Sequence, residues 1–128
     1  MDEILVVDDD SMLLGVIKRI LEREGYAAHC VASGEEALEQ MKKRTFSLMI
    51  TDYNMSGLNG LELARIGREI DPGMPIIMDT GGISASIILQ AKEIGIVDVL
   101  PKPFLMTVLL EKIRGAMGTP GEWASSPA

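Results

Sequence analysis

The stretch Ile4-Leu5-Val6-Val7-Asp8-Asp9-Asp10 decides how this chain is read. Four apolar residues without alternation suit a strand buried on both faces, as in a parallel sheet covered by helices. The run ends in three carboxylates, and a helical period follows at once. Leu13, Ile17, Ile20 and Leu21 fall on one stripe, with Lys18, Arg19, Glu22 and Arg23 opposite. Asp10 or Ser11 can cap the start of that helix, and Gly25 can close its end in a left-handed conformation. Carboxylates packed this closely repel and do not all ionise unaided. A hard divalent cation with oxygen ligands relieves that cost, and Mg²⁺ is the usual one where phosphate is also handled.

The same strand-then-helix order recurs outward from this stretch. A weaker, mixed strand at about Ala27 to Val31 reads as a sheet edge, and Ser33-Gly34-Glu35-Glu36 reads as a capping box opening a second helix. Ser47 to Thr51 forms a third strand ending at Asp52, and Asn59 with Glu62 caps a helix running to about Ile70. Pro75 to Asp79 forms a fourth strand ending at Thr80, followed by a helix from Ser84 to Gly95. Ile96 to Leu100 forms a fifth, stopping at Pro101-Lys102-Pro103, where proline suits an edge strand. A last helix from about Phe104 to Met117 is expected to bury Leu105, Val108, Leu109 and Ile113. Strict alternation implies parallel strands joined by right-handed crossovers. Residues 1–117 read as one domain and 118–128 as a tail or truncated linker.

Composition narrows the function classes. A chain of 128 residues fits one domain with one real core. A net charge of −7 argues against direct binding to nucleic acid or an anionic membrane. The single cysteine, Cys30, permits no intrachain disulfide and reads as a small core residue; the single histidine, His29, cannot anchor a typical zinc site and reads as a surface strand position. No basic leader precedes an apolar stretch, and no apolar run approaches the length of a membrane span, so a cytoplasmic location is expected.

In a parallel sheet of this kind ligands bind outside the carboxyl ends of the strands. Asp8, Asp9, Asp52, Thr80 and Lys102 all fall there. A carboxylate beside Mg²⁺ can attack phosphorus and form an acyl phosphate, a reaction that needs mostly positioning and charge neutralisation. A lysine ammonium would hold one phosphoryl oxygen and a threonine hydroxyl another, while Gly81 and Gly82 leave room for the group to enter. No general base for rapid hydrolysis of the product is evident, so self-catalysed phosphoryl transfer with slow autodephosphorylation is expected rather than enzymatic turnover.

These pieces together resemble the receiver domain of bacterial two-component response regulators over roughly residues 2 to 117. They are Ile4 to Asp10, Asp52-Tyr53-Asn54-Met55, Gly60-Leu61-Glu62, Thr80-Gly81 and Lys102-Pro103-Phe104. The resemblance implies a flavodoxin-like (βα)5 three-layer sandwich with a parallel sheet in the order 2-1-3-4-5. It implies that Asp52 takes a phosphoryl group from a sensor histidine kinase or a phosphotransfer protein. Asp9 and Asp52 would bind Mg²⁺ directly with the Asn54 backbone carbonyl, Asp8 would act through water, and Thr80 and Lys102 would contact the phosphoryl oxygens. The peptide bond before Pro103 would be cis. The added charge would draw Thr80 inward and shift two existing populations, changing contacts with a downstream protein or a fused output domain; a homodimer is compatible with this. The chain is read either as a single-domain regulator or as an excised N-terminal receiver.

Three features depart from the family pattern. Val99 stands where many members carry a switching aromatic ring, so the coupling to threonine is expected to be weaker or built differently. The loop Met55-Ser56-Gly57-Leu58-Asn59-Gly60 lacks the usual proline and aspartate. Asp79 occupies a position that is usually apolar or small, and a buried unpaired carboxylate is costly, so a partner, water access or a raised pKa is expected. Two rivals carry distinct signatures. A receiver-like interaction module would never be phosphorylated. A haloacid-dehalogenase-like phosphatase would use Asp8-x-Asp10 and a substrate cap, for which this chain has little room.

Overall fold

The computed structural model describes residues 3–117; the tail expected at 118–128 lies outside the described residues. Five strands alternate with five helices: β1 (Glu3–Val7), α1 (Ser11–Arg23), β2 (Ala27–Val31), α2 (Gly34–Lys43), β3 (Leu48–Asp52), α3 (Gly60–Ile70), β4 (Ile76–Thr80), α4 (Ala85–Ile94), β5 (Asp98–Pro101) and α5 (Met106–Met117). All four strand pairings are parallel, in the order β2-β1-β3-β4-β5. The mixed strand β2 and the proline-terminated β5 therefore occupy the two edges, as their sequences imply.

The sheet separates two apolar layers. Alternate residues of the central strands (Ile4, Val6, Leu48, Ile50 and Ile77) pack with Ile17 and Leu21 of α1 and with Leu109 and Ile113 of α5. Their neighbours Leu5, Val7, Met49, Ile76 and Met78 pack on the other side with Ala37 and Met41 of α2, Leu61, Leu63 and Ala64 of α3, and Ala91 of α4. Burial on both faces is why β1, β3 and β4 read as continuous apolar runs. Cys30 and His29 on the edge strand are half-buried; Cys30 packs against the α1/α5 layer, and the His29 ring lies 6.0 Å from that of Phe46. The surface position expected for His29 is thus only partly correct.

Helix starts follow the local signals. The Asp10 carboxylate accepts hydrogen bonds from the Met12 and Leu13 amides, which settles the choice between Asp10 and Ser11. Asn59 and Glu62 form a complete capping box at α3. At α2, Ser33 caps the Glu36 amide, but the Glu36 carboxylate takes the amide of Ala32, one residue ahead of the expected box. The start of α5 also differs from expectation. The helix opens at Met106, so Leu105 becomes the residue whose carbonyl accepts the Val108 and Leu109 amides. Its side chain is 70% exposed, and Phe104 and Met106 pack on the core in its place.

Gly60 opens α3 directly beneath the end of β3. A Cβ there would lie 2.6 Å from the Asp52 carbonyl oxygen and 2.9 Å from the Tyr53 Cα, both backbone atoms that cannot swing aside. Gly60→Ala is expected to lower the unfolding free energy by about 1–3 kcal/mol in urea titration, as overpacking does. An unchanged midpoint would show that β3 and α3 can separate freely.

Candidate phosphoacceptor site

Four polar side chains continue the α1/α5 layer at or just past the carboxyl ends of four strands. Asp8 stands two residues after Val6, Asp52 two after Ile50, Asp79 two after Ile77 and Lys102 two after Leu100, and all four apolar predecessors belong to that layer. Because strand side chains alternate with a period of two, all four project from the same face. Register then brings them level: Asp52 pairs with Asp79, and Asp79 with Leu100. Carboxylate oxygens of Asp8, Asp52 and Asp79 all lie within 4.8 Å of one another.

Lys102 joins them. Its Nζ is 3.3 Å from Asp8 Oδ2, 3.3 Å from Asp52 Oδ2 and 3.4 Å from Asp79 Oδ1. The Lys102 amide donates to the Thr80 carbonyl at 2.8 Å, which fixes the approach. The Lys102–Pro103 bond is cis, as the resemblance implies. Burial works against the lysine charge, but Asp79, Asp8 and Asp52 outweigh it and hold the ammonium above the ordinary lysine range. Burial pushes the Asp8 carboxyl up, although the Asp10 amide donates to its Oδ1 at 2.9 Å. The Asn54 amide donates to Asp52 Oδ1 at 3.3 Å.

The residues expected from sequence separate into two sets. Asp8, Asp52 and Lys102 meet in the pocket. Thr80 is buried at the end of β4, and its Oγ1 accepts the Gly82 amide at 3.2 Å. Asp9 and Asn54 are exposed on the loops after β1 and β3, and Asp9 lies outside the close carboxylate group. Gly81 and Gly82 have open space where a Cβ would be, so the mouth beside Thr80 is unobstructed. Val99 is half-buried and packs against the α2–α4 layer.

Asp79 is the residue whose place the sequence did not give. It is 2% exposed, and its Oδ1 makes no hydrogen bond although Lys102 stands within ion-pair reach. Burial pushes its pKa up to about 7, against the pull of Lys102. The available signal was parity: Asp79 follows Ile77 by the same two residues that separate Asp52 from Ile50. The donor set is all hard oxygen, and one oxygen of it lacks a donor, so the acidic cluster is compatible with a divalent metal site.

A family model described as the response regulator receiver domain matches residues 4–114. The response regulator MprA of Mycobacterium sp. (strain KMS) is 34% identical over 127 residues, covering 98% of this chain and 55% of that protein. The uncharacterized transcriptional regulatory protein YkoG of Bacillus subtilis (strain 168) is 34% identical over 114 residues, covering 89% of this chain and 50% of that protein. The chain thus spans about half the length of these curated relatives. Among solved structures, a CheY-like receiver domain protein from Methanospirillum hungatei JF-1 superposes with a TM-score of 0.88 at 33% identity, over 91% of this chain and 94% of that one. The beryllofluoride-activated NtrC4 receiver domain dimer gives a TM-score of 0.86 at 29% identity, over 91% and 97%. The fold and the acidic pocket define a phosphoacceptor switch of the flavodoxin-like class. The chain belongs to the response regulator receiver domain family.

A carboxyl group whose folded pKa lies above its ordinary value of 3.8 is protonated without cost below that value. Its contribution to stability is lost as pH rises from about 4 to about 7. Unfolding titrations should therefore show wild-type stability falling across this window, and Asp79→Asn should flatten the fall and exceed wild type by a few kcal/mol near pH 8. Equal slopes in the two proteins would place the titrating group elsewhere.

Proposed function

We propose that Asp52 is the phosphoacceptor of a Mg²⁺-dependent signalling switch supplied by a sensor histidine kinase or a phosphotransfer protein. An Asp52 carboxylate oxygen attacks phosphorus, the bond from phosphorus to the donor imidazole nitrogen breaks, and the imidazole leaves with the electron pair. The observation that carries this reading is the convergence of Asp8, Asp52 and Lys102 in one pocket at the strand ends.

Mg²⁺, when bound, neutralises phosphoryl oxygens and the carboxylates around them. Asp9, Asp52 and the Asn54 carbonyl would hold it, with Asp8 acting through water. Lys102 supplies a point charge to a phosphoryl oxygen, for which it must exchange a carboxylate partner. The Thr80 hydroxyl donates to another oxygen through the opening left by Gly81 and Gly82. Exposed Met12 and Leu105, 81% and 70% accessible, stand on the segments just after Asp10 and Pro103 and offer apolar contact to an approaching donor protein. Self-catalysed uptake of the phosphoryl group and its slow loss, rather than enzymatic turnover, are expected of the chain.

The modified Asp52 recruits Thr80, and the change passes to α4 and β5 and from there to a downstream protein, a fused output domain or a second copy. Val99 cannot report it by a ring flip, so the response is expected through backbone shifts of β4 and β5. Among the described residues no helix is long and apolar enough to cross a membrane, and a cytoplasmic setting suits a histidine-kinase partner.

Intact mass spectrometry after incubation with acetyl phosphate and Mg²⁺ tests the assignment. One labile phosphoryl adduct is expected, absent in Asp52→Asn and absent with excess chelator. Failure of the wild-type chain to accept any adduct would favour an unphosphorylated interaction module, and an adduct retained in Asp52→Asn would move the acceptor elsewhere.

A further inference from the structure

Lys102 comes from beyond β5, one edge of the sheet, and reaches across β4 and β3 to Asp8, just past the end of β1. Asp79 lies on β4, the strand next to β5, and is the anchor closest in the sheet to the origin of that side chain. Its Oδ1 has no hydrogen-bond donor, is buried and stands 3.4 Å from Nζ. An ammonium and a divalent cation compete for the same oxygens of Asp8 and Asp52, and two cations at one carboxylate repel. A third carboxylate on the lysine side of the pocket draws the ammonium back toward β4.

We propose that Asp79 is a positioning residue for Lys102, holding the ammonium toward β4 so that Asp8 and Asp52 are left to the divalent cation. The inference rests on the proposed metal-dependent reading of the site and deepens it. Neither apolar burial nor fold geometry calls for an acid at this position, since the residues before it on β4, Ile76, Ile77 and Met78, are all apolar and buried. A buried carboxylate lacking a hydrogen bond is destabilising, and such a group persists where it acts on a neighbour.

The test is a Mg²⁺ titration near pH 8, where carboxylates are ionised, followed by amide NMR shifts in wild type, Asp79→Asn, Lys102→Met and the double variant. Asp79→Asn is expected to weaken Mg²⁺ binding by roughly threefold to tenfold. In the Lys102→Met background the same substitution is expected to cost clearly less, because the ammonium it positions is gone and only the direct attraction of the Asp79 charge remains. An equal loss in both backgrounds, or no loss in either, overturns the proposal. A metal-free crystal structure of Asp79→Asn gives a second reading that needs no lysine variant: Nζ, which in the wild type lies 3.3 Å from both Asp8 and Asp52 and 3.4 Å from Asp79, should move away from β4 toward the first two, and an unmoved Nζ also overturns it. Should the wild-type chain bind Mg²⁺ with this coupling yet refuse phosphorylation, the phosphoacceptor reading fails while the positioning role stands.

Discussion

One ammonium shared by three carboxylates from three strands organises the working end of this molecule. Among the described residues, Lys102 is the single positive charge within ion-pair reach of Asp8, Asp52 and Asp79. Without it, three buried acids would face one another with no counter-charge, an arrangement that breaks buried ionic networks at a cost of several kcal/mol. Everything below the pocket serves to deliver these groups. The parallel register levels the strand ends, the apolar alternation selects the face, and the Lys102 amide bonded to the Thr80 carbonyl fixes where the lysine begins. The pocket still carries more negative than positive charge, which suits it to a second, divalent cation.

Much of this was legible before any coordinates. The unbroken apolar runs ending at Asp8, Asp52 and Thr80 required a doubly covered parallel sheet, and the weaker composition of β2 and the proline after Leu100 placed the edges. Convergence of Asp8, Asp52 and Lys102 followed from strand ends alone. What the chain concealed was cross-strand detail. The Asp79 partner depends on a residue two positions beyond its register mate Leu100, a relation that only strand pairing supplies. Leu105 keeps the helical spacing of the core residues, but the helix opens one residue later and the spacing counts only inside it. The Glu36 carboxylate chose the Ala32 amide because β2 ends at Val31 and brings that donor closer.

The same physics frames the switch. A pocket of repelling carboxylates costs stability at rest, and functional sites commonly concentrate such costs. On the proposed reading, a phosphoryl group on Asp52 would change which partners Lys102 and Thr80 can satisfy, and a two-state rearrangement needs only a few kcal/mol of that differential contact. Val99 packs against the α2–α4 layer and β5 carries no aromatic ring, so the proposed response would fall on the backbone of β4 and β5. Receiver domains related to this chain share the frame; in this chain β4 adds Asp79 as a third acid within ion-pair reach of the lysine.

A crystal structure of the chain with Mg²⁺ and beryllofluoride examines the central claim most directly. The account requires the beryllium group on an Asp52 carboxylate oxygen, the metal ligated by Asp52 and Asp9, and Lys102 Nζ within hydrogen-bond distance of a fluoride. A beryllium group on another carboxylate, or Lys102 held wholly by Asp8 and Asp79 with no contact to fluoride, would contradict it.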